Sequence, residues 1–250
     1  MHRLIALAIE ELYVDRLAEH YEVLAYHFSK AEEWGKALQY LLKAAEKAAK
    51  AFANREAIAL YDEVLEAVGQ LGAGVDARTR MAIHQAKANV YFVLSGFDRS
   101  RDAGESLLAL ACGSGDRMTE SIALASLGLT SLWAHDFDAA LAYAGRAIDI
   151  AQEANAMSAL ALGHFTTGHV HTVCGRLEPG RREVDHALGS AGRQATCSTY
   201  RCRSPWLDSL RPGRGRVRRR SASELRAYGL LGITTYWCHS SSVSLRTASS

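Results

Sequence analysis

An all-α chain, folded as a right-handed α-solenoid of antiparallel helix hairpins with an irregular or disordered C-terminal tail, is what this sequence predicts. Three observations carry the prediction. Apolar residues recur at three- and four-residue spacing through residues 17–49, with one interruption at Glu32-Glu33-Trp34-Gly35-Lys36. From Asp76 onward the chain repeats itself at a 40-residue period. Only three prolines occur in 250 residues, so little breaks the helical pattern, and 48% apolar residues suffice for a large core.

Residues 2–15 form the first predicted helix, with Leu4, Ile5, Ala8, Ile9 and Leu12 on one side. Nothing before them supplies a surface for that side to cover. Either the helix packs only forward, onto residues 17–28, or Met1 is an internal start within a longer protein. Tyr21, Leu24, Ala25 and Phe28 then share one helical face, and Ala37, Leu38, Leu41, Leu42, Ala44, Ala45 and Ala48 form the answering face of a second helix. Large and small residues alternate, which lets the two helices approach closely.

This arrangement resembles a tetratricopeptide (TPR) unit, with Tyr21, Leu24, Ala25 and Phe28 meeting Ala37, Leu41 and Ala44. Residues 2 to about 70 further resemble a segment of large bacterial signalling proteins, through Leu12-Tyr13, His20-Tyr21 to His27-Phe28, Trp34 with Lys36-Ala37-Leu38, and Ala53-Asn54-Arg55-Glu56-Ala57. Those proteins couple an AAA-type or STAND-type ATPase, often preceded by a class III adenylate or guanylate cyclase domain, to a C-terminal TPR array. The resemblance implies a sensing or scaffolding arm, with the cyclase and ATPase domains of a parent protein as partners. No Gly-x-x-x-x-Gly-Lys-Ser/Thr phosphate loop occurs in the chain, so nucleotide chemistry is not expected.

Asn54 is expected to cap the next helix, with Glu56 in its first turn and Ala57, Leu60, Tyr61, Val64, Leu65 and Val68 on the buried face. The glycine-rich interval 69–74 reads as a hinge, which divides the chain into an N-terminal unit (1–70), the 40-residue repeats (71–192) and a tail (193–250). Within the repeats Ala88, Gly128 and Gly168 share a small-residue position, Phe97, Phe137 and Leu177 a turn position, and Leu107, Ala147 and Ala187 another. A single hairpin cannot bury both its faces, whereas a stack of them can. Gly189 and Gly192 are expected to fray the last helix.

Charge separates the tail from the rest. Residues 1–192 carry 18 Lys and Arg against 25 Asp and Glu, a net −7, whereas residues 193–250 carry 11 Arg, no Lys and two acids, a net +9. All six lysines lie before position 88. The tail reads as a reading frame lost in a GC-rich gene, as a disordered basic segment, or as a small subdomain. The run 211–220 could neutralise phosphates but has no aromatic residues for base stacking. A truncated or frameshifted fragment and a non-specific polyanion binder are therefore the competing readings.

Five cysteines at irregular spacing argue against a disulfide framework and for a reducing, cytoplasmic setting. The N-terminal stretch contains Glu10, Glu11 and Asp15, unlike a signal peptide. His164, His169 and His171 with Cys174 have the wrong spacing for a metal site and read as packing or groove residues, and Cys197, Cys202 and Cys238-His239 make a poor zinc clip. No nucleophile elbow appears, so no catalytic residue, metal or cofactor is assigned. The candidate site is the concave face of the first helix of each repeat: Glu22, Tyr26, Gln85, Asn89, Leu129, Trp133, His169 and Thr172, holding a protein or peptide ligand, with Trp133 as the anchor.

Overall fold

The computed structural model describes residues 1–194. Among them every regular element is helical: α1 (His2–Leu12), α2 (Tyr21–Lys30), α3 (Trp34–Lys50), α4 (Asn54–Leu71), α5 (Ala77–Val93), α6 (Phe97–Ser114), α7 (Arg117–Trp133), α8 (Phe137–Glu153), α9 (Met157–Val173) and α10 (Leu177–Gln194), with short 3₁₀ turns at Val14–Glu19 and Gly72–Gly74. The expected all-α, TPR-like hairpin class is what the chain adopts. The interpretations of the basic tail and of Cys197, Cys202, Cys238 and His239 fall on residues 195–250, outside the described residues.

Among the described residues the chain divides into two compact units, the first Met1–Leu110 and the second beginning at Ala111, with the division inside α6. The glycine-rich interval therefore lies within the first unit. In that unit α1 packs on α2, α2 on α3, α3 on α4 and α4 on α5. Its core gathers Leu24, Phe28, Leu41, Tyr61 and Val64 in one buried cluster with alanines such as Ala37 and Ala44, and the Phe28 ring stacks on Tyr40 with centroids 5.7 Å apart. Glu10 ties α1 to α3 by accepting hydrogen bonds from Lys36 Nζ and Tyr40 Oη, each at 2.6 Å. Partial burial works against the Glu10 charge, but those two bonds outweigh it and hold the carboxyl below its usual range.

Only one side of α1 is covered. Ala6 is fully buried and Ile9 packs on the core, whereas Leu4 and Leu12 are 69% and 76% exposed and Ala8 is also open to solvent. Most of the apolar side expected from the sequence thus faces away from α2.

In the second unit α7 packs on α8, α8 on α9 and α9 on α10, while α7 also touches α9, so successive first helices lie side by side. Small residues set the spacing. A Cβ on Gly128 would stand 3.3 Å from the Ala140 carbonyl oxygen, and one on Gly168 would stand 3.0 Å from that of Gly180. The matching position one repeat earlier, in the first unit, is Ala88, whose carbonyl accepts a hydrogen bond from buried Ser100 at 3.0 Å.

The turns explain how the period is kept. At Glu32, Phe52, Ser95, Gly115, His135, Asn155 and Gly175 the backbone takes a positive φ, and the next residue's N–H reaches the carbonyl five positions back, as in Asp136 to Ser131 at 2.9 Å. This closure satisfies carbonyls that the helix end would otherwise leave bare. From Ser95 it recurs every 20 residues.

Two local expectations need correction. Asn54 is the first residue of α4 and its N-cap position is Ala53, with no side-chain cap, because the preceding turn delivers the Ala53 N–H to the Ala48 carbonyl at 3.0 Å. Nor does α10 fray at its glycines. It runs to Gln194, with Val184 and Ser190 buried and the Ser190 hydroxyl bonded to the His186 carbonyl.

Candidate functional site

The first helices of the second unit, α7 and α9, bring three aromatic rings together. Trp133 is the last residue of α7, and its ring centroid lies 6.1 Å from that of His169 on α9. Phe165, one turn earlier on α9, lies 5.9 Å from the same imidazole. The side-by-side packing of α7 and α9 creates this juxtaposition, and the 3.6-residue turn places His169 beneath Phe165.

All three rings are partly covered and partly open. The indole Nε1 of Trp133 is buried, with no hydrogen-bond partner among the described residues, and His169 Nδ1 and His171 Nδ1 are buried too. The surface that Trp133 offers outward is therefore hydrocarbon. Burial holds the His169 imidazole below its usual pKa, so at neutral pH the ring is uncharged. Thr172 donates its hydroxyl to the Gly168 carbonyl at 2.8 Å, which satisfies its hydrogen within the helix.

The other expected site residues are distributed differently. Leu129 is 2% exposed and belongs to the packing between helices, so it offers a ligand almost no surface. Glu22 and Tyr26 are neighbours on α2: Glu22 stands 3.8 Å from Lys47 Nζ, and Tyr26, 54% exposed, meets the His2 ring edge-on at 5.9 Å. On α5 the Gln85 amide donates to Asn89 Oδ1 at 3.1 Å. These four lie in the first unit, and Trp133, His169 and Thr172 in the second.

Sequence reasoning missed Phe165, although it sits four residues before His169 on the same face. It also missed Glu183 on α10, whose carboxylate meets His164 Nδ1 at 2.7 Å while the His186 ring stacks on the imidazole at 5.3 Å. Among the described residues no three His, Cys, Asp or Glu side chains gather as a metal ion would require. Burial, reinforced by Glu120, pushes the Cys112 thiol up, the opposite of what a nucleophile needs. No helix among the described residues is long and apolar enough to cross a membrane.

No family model and no curated protein matches the chain. Solved structures do. The Rap conjugation gene regulator of the plasmid pLS20, solved in complex with the Phr* peptide, is 14% identical over 64% of this chain with a TM-score of 0.57. This chain spans 44% of the length of that regulator. BtubC from P. vanneervenii is 17% identical, covers 87% of this chain and 91% of its own, and gives a TM-score of 0.54. A putative kinesin light chain with nearly identical TPR-like repeats, from Podosopora anserina, is 12% identical over 77% of this chain and 94% of its own, at a TM-score of 0.56. At such identities the likeness concerns architecture: the chain has the fold of TPR-like helical-repeat proteins.

Proposed function

We propose that this chain is a non-catalytic interaction scaffold that holds a protein or peptide segment against the first helices of its repeats. The observation that carries the reading is the Trp133, His169 and Phe165 grouping, in which aromatic surface stays open on two adjacent helices although α7 and α9 are otherwise well packed. Partly covered aromatic rings on a rigid support are the residues that dominate binding energy at protein interfaces. The similar Rap regulator is described with a bound peptide, which agrees with this reading.

The resemblance of residues 2 to about 70 to the interaction arm of cyclase and ATPase signalling proteins supports a finer version: a cytoplasmic regulatory arm whose partners include such catalytic domains. The test is a selection of random peptides against the full chain, followed by hydrogen exchange of the complex. Protection concentrated in α7 and α9 is the expected result. Protection confined to α8 and α10, or a selection that enriches nothing, rules the scaffold out.

A further inference from the structure

Charge is absent from the open face of the second unit over a long interval. Between Ser121 and Trp133 on α7, and along the whole of α9 from Met157 to Val173, there is no Asp, Glu, Lys or Arg. The first helix of the preceding repeat differs: α5 carries Arg78, Arg80 and Lys87. On α9, Leu162, Phe165, His169 and Val173 follow one another at three- and four-residue steps and so share a side of the helix. Leu162, Phe165 and His169 are partly open and Val173 is 55% exposed. Trp133 joins this strip from α7. Its one polar atom is turned inward, and the one titratable ring touching it, His169, is neutral at physiological pH.

We infer that this strip takes an uncharged, apolar peptide segment, whose aromatic or aliphatic side chains lie against Trp133, Phe165 and Val173. The inference rests on the scaffold reading above and adds the class of partner. A charged segment would lose water on binding and find no opposite charge on α9 or on α7 beyond Glu120, which costs free energy without compensation. An apolar side chain loses nothing of that kind and gains from the area it covers. Discrimination here arises from the lack of an ion partner.

Three sets of twelve-residue fluorescent peptides test this on the full chain: an uncharged set rich in Leu and Phe spaced by Ser and Asn, an acidic set and a basic set. Each is titrated by anisotropy at 50 and 500 mM NaCl. The uncharged set is expected to bind best, with affinity changing less than twofold between the two salt concentrations and falling at least tenfold in Trp133→Ala. Val173→Asp, a substitution at an exposed position that leaves the core alone, is expected to weaken the same peptides at least fivefold. Tight binding confined to a charged set, lost in Trp133→Ala, overturns the partner class while leaving the scaffold intact. Binding of the uncharged set that ignores both substitutions overturns the assigned surface. If no set binds, the scaffold reading fails along with this one.

Discussion

The two units solve one packing problem with different materials. In the first, large side chains fill the space between helices, and ion pairs such as Lys36 with Glu10 and Lys87 with Asp62 stand at the margins of the core. In the second, helices meet through Gly128, Gly163, Gly168 and Gly180, and the alanines 140, 144 and 147 are fully buried. Bulk tolerates some repacking and fails when it is removed, whereas close backbone approach tolerates no addition. The second unit buries Leu124, Leu127, Leu129 and Leu132 of α7 as well, so its small residues set the spacing between helices, while aromatic rings such as Trp133 and Phe165 are left part-open at the surface.

Four comparisons sharpen this contrast. The largest effect is expected from Phe28→Ala, which should destabilise the first unit by about 4 kcal/mol, through lost burial and a cavity beside Tyr40. Unit-resolved hydrogen exchange should show it in α2, α3 and α4, and a loss under about 1 kcal/mol would mean that this core does not depend on bulk. Next comes Gly168→Val, expected to cost about 3 kcal/mol because the Gly180 carbonyl and the Val184 side chain already crowd a Cβ there. At the matching position Ala88→Gly should cost only about 1 kcal/mol. Equal losses at the two positions, read from urea midpoints, would erase the distinction.

Phe52 acts in the opposite direction. It is 71% exposed and holds φ at 59°, a conformation that glycine adopts freely and a phenylalanine does not. Phe52→Gly should therefore raise stability by about 1 kcal/mol, and a fall in thermal midpoint would show that the ring has a role in packing.

The subtlest comparison uses pH. Burial, with Lys87 nearby, holds His84 of the first unit below its usual value, and burial does the same for His169 of the second. Both rings bind a proton more weakly folded than unfolded. Their contribution to stability is complete above the unfolded value near 6.5, is lost as the pH falls through the lower folded values, and is level beneath them. His84→Gln should flatten the acid decline in the first unit alone, and His169→Gln that in the second. A decline that survives in both variants would assign it to other groups.

Much of the architecture could be read without coordinates. The 40-residue period recurs in α5, α7 and α9, which begin at Ala77, Arg117 and Met157. Ala88, Gly128 and Gly168 were legible as close-approach positions because a stacked repeat needs a small residue where two backbones meet. The site was legible less evenly. Trp133 stood out by its size, but its neighbours depend on how α7 and α9 are rotated about their axes, and no residue type announces a rotation. Phe165 was therefore overlooked and Leu129 included. Turn geometry hid from view for another reason: five of the positive-φ positions are Glu32, Phe52, Ser95, His135 and Asn155, where glycine would have been the recognisable signal.

By itself the sequence determined that this protein is a succession of paired helices and where each pair turns, because helical periodicity and helix-end hydrogen bonding act over five residues or fewer. Tertiary structure alone decided which of two equivalent positions, Leu129 or His169, would be covered and which would stand beside a tryptophan. That choice is made by side chains contributed from helices forty residues apart, whose mutual rotation follows from the whole interface and from no single stretch of chain.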